Sequence, residues 1–447
     1  MTASLPTHHT ASASFPFAAP FLPLALDFAE KATAAFGFGQ REIAGLVLAV
    51  EEIYSCYLNQ LAGIASIDLR LDDERYQLRL DIRFRMAHPM LQAFNLTYRI
   101  DPDDEDSLAG LGLMIAARSV TRLSIEFGSD EQVCLQLIRE REYPKATMIA
   151  RPEAPSAAVV RLHAPSREDL LFFGGLLASG QHDFLPAFLE RPQMAADMVD
   201  GGALGAILAS VGETLAGGVF WRRLSESTVE LYGPYLLYPD DEDDLLTRLL
   251  DDAVGRISRS GARALLRRQG PLPGYERFFD FLGELDLAST PVAGGAGQTV
   301  VWPHYYKQLR EESGGVVYAE PRFAAFLRAE YDRLCLPRQV RETSTAGQRV
   351  GQRIGQNSGD DSVLSVDFEH RRSLATLRLL AKGNDLAENL AAHLGLLANE
   401  RIGNVLVEID SGRDEEIGFV SVLYDAGFLP RLLIPDAGRG DLVVFAR

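Results

Sequence analysis

Apolar residues recur every three or four positions from Ile43 to Leu61, and the segment that follows, IDLRLDDERYQLRLDIRFRM, alternates between polar and apolar. The first spacing predicts a helix with one buried stripe and the second a hairpin with one buried face, because side chains repeat every 3.6 residues in a helix and every two in a strand. An acidic loop, DPDDED, precedes a second helical stretch from Leu111 to Val120. From about Leu26 to Arg141 the order is therefore helix, strands, acidic loop, helix, strands. The stretch EYPKATMIARPEAPSA, rich in proline and small residues, then reads as a linker.

A second unit opens at Val159. VVRLHAP reads as a strand, SREDLLFFGGLLAS as a helix, and GALGAILASV, ETLAGGVFWRRL and TVELYGPYLLY as three successive strands. DDLLTRLLDDAVGRISRSG reads as a helix, ARALLRR as a strand and YERFFDFLGEL as a helix, which makes an α+β or mixed-sheet layout. A helical connector spans Glu320 to Val340, and RETSTAGQRVGQRIGQNSGDD reads as a polar, mobile linker. From Ser362 the later part of the second unit recurs in pattern: hairpin VLSVDFEHRRSLATLRLL, helix DLAENLAAHLGLLANERIG, strand NVLVEID, helix EEIGFVSVLYDAGF and strand DLVVFAR.

Composition narrows the function classes. The 447 residues are 47% hydrophobic and 24% charged with a formal charge of −18, which suits globular structure and removes a broad cationic surface for nucleic acid. Cys56, Cys134 and Cys335 lie far apart without a CxxC pair, so neither a disulfide framework nor a structural zinc site is expected, and a reducing cytoplasm fits. The histidines show no metal-ligand spacing. No apolar run approaches the roughly 20 residues needed to cross a bilayer, and the first residues, without a basic start, read as a disordered leader.

The run LAVEEIYSCYLNQ, with GLGLMIAARSV further on, resembles the GHKL ATPase superfamily and most closely its anti-sigma-factor serine-kinase branch. The resemblance implies an α/β sandwich, a glutamate at Glu52, a magnesium-binding position at Cys56, an adenine-reading position at Phe84 with Met86 at the glycine after it, and a glycine pair, Gly110 and Gly112, opening a helix toward phosphates. Cysteine is a poor magnesium ligand and phenylalanine cannot accept from adenine, so the implied ATP and magnesium site is degenerate and serine-kinase activity is not expected. What the resemblance leaves is a protein partner, a sigma factor or a small antagonist.

The C-terminal two thirds is similar to the GNAT acyltransferase superfamily, whose sheet splays after its fourth strand so that amides of the next loop hold the pyrophosphate of acetyl-CoA. In the first repeat that loop is PDDEDDLLTRLL, where Asp240 to Asp244 crowd the expected phosphate with like charge. In the second repeat it is LLAKGNDLAENL, so acyl-CoA binding is expected at Lys382, Gly383 and Asn384. The family pattern Y-x-x-G-F is kept in LYDAGF, making Tyr424 the candidate acid for a departing thiolate, with Gly427 and Phe428 behind it.

The expected organisation is a disordered leader over 1–24, a GHKL-like α/β sandwich over 25–145, a linker over 146–158, a GNAT-like mixed-sheet repeat over 159–319, a helical connector and mobile linker over 320–361, and a partial second repeat over 362–447. The expected function is a bacterial cytoplasmic regulator that binds a protein partner and carries an acyl-CoA-sensing or scaffold module. The alternative is an acetyl-CoA-dependent N-acyltransferase controlled by its GHKL-like domain.

Overall fold

A computed structural model describes residues 9–61, 66–86, 89–100, 103, 105–128, 131–154, 159–180, 185–238, 242–268, 277–288, 299–312, 314–342, 361–369 and 372–447. The first unit contains β1 (His9–Pro16), α1 (Leu22–Ala35), α2 (Gln40–Leu61), β2 (Ser66–Asp73), β3 (Gln77–Arg85), α3 (Glu105–Ser119), β4 (Arg122–Phe127) and β5 (Gln132–Glu140). Its strands form one antiparallel sheet in the order β1-β2-β3-β5-β4. The apolar alternation of β2 and β3 puts Leu69, Leu71, Leu80 and Ile82 against Leu46, Val50 and Ile53 of α2 and Leu113 of α3. Residues 9–16 are not a disordered leader: they pair with β2 along their whole length, and Thr10 Oγ1 donates to Asp72 Oδ1 at 2.6 Å. Small alternating residues, TASAS, carry too little apolar area to announce a strand, and the partner strand supplies the order.

The expected linker is also partly held. Ala146 N–H donates to the Glu190 carbonyl at 2.8 Å and Ile149 N–H to the Gly175 carbonyl at 3.0 Å, so this segment straps the helices of the next unit; residues 155–158 lie outside the described residues.

The second unit contains β6 (Val160–His163), α4 (Arg167–Ala178), α5 (Ala187–Glu190), α6 (Pro192–Asp200), β7 (Gly205–Val211), β8 (Thr214–Arg223), β9 (Thr228–Leu236), α7 (Glu242–Ser258), β10 (Ala264–Arg267), β11 (Asp280–Ala288) and β12 (Thr299–Gln308). The sheet order is β11-β12-β10-β9-β8-β7-β6. Only β9 and β10 run parallel, through three rungs ending at Glu230 opposite Leu266, after which they part. A sheet that splays after its fourth strand is the layout the sequence resemblance implies. α7 covers one face; α4, α5, α6 and the strap cover part of the other.

From Arg277, the first described residue of YERFFDFLGEL, the segment is not a helix. β11 begins at Asp280, and a bulge between Phe281 and Gly283 inserts one residue, so buried Leu282 and Leu285 stand three apart and imitate helical spacing.

The last unit contains β13 (Gly315–Ala319), α8 (Pro321–Arg333), β14 (Arg338–Glu342), β15 (Val363–Glu369), β16 (Leu374–Ala381), α9 (Leu386–Asn399), β17 (Asn404–Asp410), α10 (Asp414–Ile417), α11 (Phe419–Asp425), β18 (Leu429–Ile434) and β19 (Leu442–Ala446). The sheet order β15-β16-β17-β19-β18, with only β16 and β17 parallel, repeats β8-β9-β10-β12-β11. α8 belongs to this unit and not to a free connector, since Phe323, Leu327 and Tyr331 pack with Leu390, Val407 and Phe445; β13 moves the boundary back from 320 to 315. The mobile-linker expectation falls almost wholly on 343–360, outside the described residues. A further core joins the two mixed sheets, with Leu266, Trp302 and Tyr306 meeting Leu406, Leu432 and Val444.

Candidate functional site

In the N-terminal unit the implied nucleotide residues are built into the core. Phe84 is 3% exposed and lies 5.0 Å from the Tyr57 ring and 6.4 Å from the Phe17 ring, centre to centre. Tyr57 is anchored by its hydroxyl donating to the Met90 carbonyl at 2.8 Å, so an aromatic cluster fills the place where a carboxylate would read adenine. Burial, then the Glu52 charge, pushes the Cys56 thiol up to about 11, which keeps it neutral. Gly110 and Gly112 do not open a helix: α3 starts at Glu105, so both lie inside it. A Cβ on Gly110 would overlap the Tyr98 ring, and one on Gly112 would sit 2.5 Å from Glu52 Oε2, so the glycines let α3 approach α2 and the loop before it. Burial, then Glu51, raises the Glu52 carboxyl.

Of the C-terminal motif residues, Gly383, Tyr424 and Gly427 are engaged in packing and backbone contacts of the same kind, whereas Lys382 and Asn384 are exposed. A Cβ on Gly383 would overlap the backbone of Asp361 and Ser362, and Asp385 Oδ1 accepts from Ser362 N–H at 2.5 Å. Lys382 has its ammonium beside Gly418, and Asn384 lies in the turn that leads into α9. Tyr424 packs edge-on against Phe445 at 6.0 Å, with the Arg322 guanidinium 4.8 Å over its ring and its hydroxyl 3.4 Å from the Arg322 carbonyl. Burial, followed by the Glu320 charge, raises that phenol. The Gly-Phe of the motif ends α11: Phe428 N–H donates to the Leu423 carbonyl, Gly427 N–H to the Tyr424 carbonyl, and Gly427 has φ +83°, the Schellman arrangement.

The most strongly coupled chemistry lies between the two mixed sheets, on residues that sequence reading did not single out. Thr228, Glu230 and Tyr232 share one face of β9, and the corresponding face of β17 carries Glu408. Arg268, just past β10, forks onto Glu230 with Nε to Oε1 at 2.9 Å and Nη2 to Oε2 at 3.1 Å, crossing the opening between β9 and β10. Tyr232 Oη donates to Glu230 Oε2 at 2.6 Å, and Arg222 Nη2 stands 3.6 Å from the same oxygen. Arg268 Nη1 reaches to 3.8 Å of Glu408, Glu408 takes Arg378 Nε at 2.6 Å, and Arg378 reaches Asp367 at 2.5 Å. The result is a chain of alternating sign, Arg222-Glu230-Arg268-Glu408-Arg378-Asp367, buried at its centre and open at both ends.

In the second unit the glutamate stands on the first parallel strand and the arginine follows the second; in the third unit Arg378 is on the first and Glu408 on the second. The exchange lets each splay complement the other. Burial alone would raise Glu230, but the charge and hydrogen bonds of Arg268, with Arg222 and Tyr232, hold its carboxyl down to about 2. Burial, then repulsion from Arg268, pushes His304 down to about 3, so this imidazole is neutral. Arg372 lies 3.5 Å over the Trp302 ring, and burial with Arg268 nearby lowers it to about 10 against the pull of Glu369. Sequence gives no signal for this cluster because its members come from six separate strands and loops. The His, Cys, Asp and Glu side chains form no group suited to a metal among the described residues.

A buried amide lock fixes the N-terminal unit onto the third. Asn95 Nδ2 donates to the Ser362 carbonyl at 2.7 Å, while its Oδ1 accepts from Leu364 N–H at 3.0 Å and Asn389 Nδ2 at 3.1 Å. Among the described residues no helix is long and apolar enough to cross a membrane.

No family model matches the chain, and the search of curated proteins also returned no match. Solved structures do match over about a third of it. A GNAT-family acetyltransferase from Streptococcus pneumoniae aligns at 14% identity and TM-score 0.27 over 34% of this chain and 99% of its own. An N-acetyltransferase from Staphylococcus aureus aligns at 11% identity and TM-score 0.28 over 34% and 100%. The spermidine/spermine N-acetyltransferase SpeG from Vibrio cholerae, solved with manganese ions, aligns at 14% identity and TM-score 0.27 over 34% and 92%. None of these comparisons supports the GHKL or anti-sigma-factor reading of the first unit.

Proposed function

We propose that the chain is a GNAT-type N-acyltransferase whose acyl-CoA cleft belongs to the second unit, with acetyl-CoA as the simplest donor. The observation that carries the reading is the parting of β9 and β10 beyond the Glu230–Leu266 rung, directly ahead of the loop into α7. An opening between parallel strands is where an extended thioester arm would lie along β9, and the following helix would turn its N-terminus to the pyrophosphate, against the like charge of the run Asp240 to Asp244. This moves the cofactor from the Lys382 loop, where Gly383 serves a close backbone approach, to the unit with the complete seven-stranded sheet. Calorimetry with acetyl-CoA, followed by labelled acetyl transfer to a panel of primary amines, tests it. Binding with transfer supports an enzyme; no binding at millimolar acetyl-CoA overturns the reading.

A second reading, a partner-binding regulator, is favoured by one observation: the N-terminal unit keeps a complete sandwich while Phe84 and Tyr57 close the implied nucleotide position. On that reading the partner is a sigma-factor-like or antagonist-like protein and the GNAT-like units are scaffold. Co-purification of one stoichiometric protein with the full chain, in the absence of acetyl-CoA binding, would select it.

A further inference from the structure

At the β6 edge of the seven-stranded sheet, His163 ends β6 and Ser210 lies on β7, next to a register shift in the β7–β8 pairing where Ala216 of β8 is the extra residue. His163 Nε2 is 2.9 Å from Ser210 Oγ, and His163 Nδ1 is 3.2 Å from the Ala164 carbonyl oxygen. A carbonyl only accepts, so Nδ1 carries the proton; Nε2 then holds a lone pair and Ser210 Oγ–H donates to it. A hydroxyl hydrogen-bonded to an imidazole whose far nitrogen is oriented by a fixed acceptor is the constellation that activates a serine. The β6–β7 register pairs His163 with Leu208 and Arg161 with Ser210, which sets Ser210 diagonally beside His163 and next to the turn that leads from β6 into α4. His163 is half-buried and Ser210 is 8% exposed, so the pair reaches the surface narrowly.

We propose that Ser210 and His163 form a nucleophile–base pair that takes an acyl group from activated carboxylic esters or thioesters, a site separate from the splay between β9 and β10. Ser210 Oγ attacks the acyl carbonyl while its proton passes to His163 Nε2; the bond from carbonyl carbon to the leaving oxygen or sulfur breaks, and Nε2 returns the proton to that leaving group. The product is an acyl-serine ester, which water hydrolyses by the same proton route.

The test treats the full chain with p-nitrophenyl acetate and, separately, with a fluorophosphonate, and reads intact mass and the modified peptide. The expected result is one adduct on Ser210, absent in Ser210→Ala and formed at least about 100-fold more slowly in His163→Asn, the typical loss of a general base. Mapping of the wild-type adduct decides the matter even if a variant does not fold. No adduct, an adduct on another residue, or an unchanged labelling rate in a folded His163→Asn would overturn the proposal.

Discussion

Replacing Arg268 by methionine removes the centre of the charged chain and keeps most of the side-chain volume. Glu230, 4% exposed, would keep only the Tyr232 hydroxyl at 2.6 Å and Arg222 at 3.6 Å. Breaking a buried pair by deleting one partner costs about 3–5 kcal/mol, because the remaining charge stays desolvated, whereas replacing both partners by apolar groups is often close to neutral. Arg268→Met is therefore expected to lose about 3–5 kcal/mol at pH 7, and Glu230→Leu/Arg268→Met to recover most of it.

The sign of the pH dependence separates this from simple loss of packing. In the native chain Glu230 titrates near 2 against an ordinary 4.5, so its contribution is present above pH 4.5 and lost as pH falls toward 2. His304, held near 3 against an ordinary 6.5, favours the fold only in its neutral form, so its loss begins below pH 6.5. In Arg268→Met the Glu230 carboxyl is raised instead; its penalty is small below pH 4.5 and grows as pH rises through the new value. Urea unfolding of both variants at pH 4.5 and pH 7, followed by tryptophan fluorescence, reads this directly through Trp302, whose indole N–H donates to the Arg268 carbonyl. A deficit under about 1 kcal/mol at pH 7, or one that is equal at both pH values, would refute the electrostatic account.

Three further outcomes are expected. Phe84→Asp puts a carboxylate against Phe17 and Tyr57 and should cost at least about 3 kcal/mol with no gain of ATP binding by calorimetry, even with Cys56→Asn; micromolar ATP affinity would show an open pocket. Asn95→Ala leaves Leu364 N–H without its acceptor and should cost about 1–3 kcal/mol, with faster hydrogen exchange at 361–364 but not in β2 or β3. Gly427→Ala, at φ +83°, should lower stability by about 1–2 kcal/mol by urea unfolding while leaving any acetyl transfer intact; loss of transfer at unchanged stability would return a chemical role to the Tyr424 motif.

Much of the element order was legible in the chain. Alternation in β2 and β3, helical spacing in α2 and α9, and the recurrence of strand, helix and strand across the last two units are local patterns, and each reports one buried face. The amino acids also determined that Cys56 and Phe84 could not serve magnesium and adenine, since that follows from side-chain chemistry alone. Elements whose order comes from a neighbour were invisible: β1 has small residues and is made a strand by β2, and the bulge in β11 makes a strand look helical.

The site depended on tertiary structure for the same reason. Gly110, Gly112 and Gly383 read as ligand-cradling positions in the sequence, and Gly427 as part of the Tyr424 motif, because glycine marks either close approach or positive φ. Only the fold says what approaches: Tyr98, Glu52, the Asp361–Ser362 backbone, and a helix end. Glu230, Arg268, Glu408 and Arg378 read as ordinary strand charges until two sheets face each other. Complementarity across a sheet interface is a property of distance in space, which one-dimensional spacing does not encode, so the sequence determined the faces and their charges while the packing of the two splays decided which charges meet.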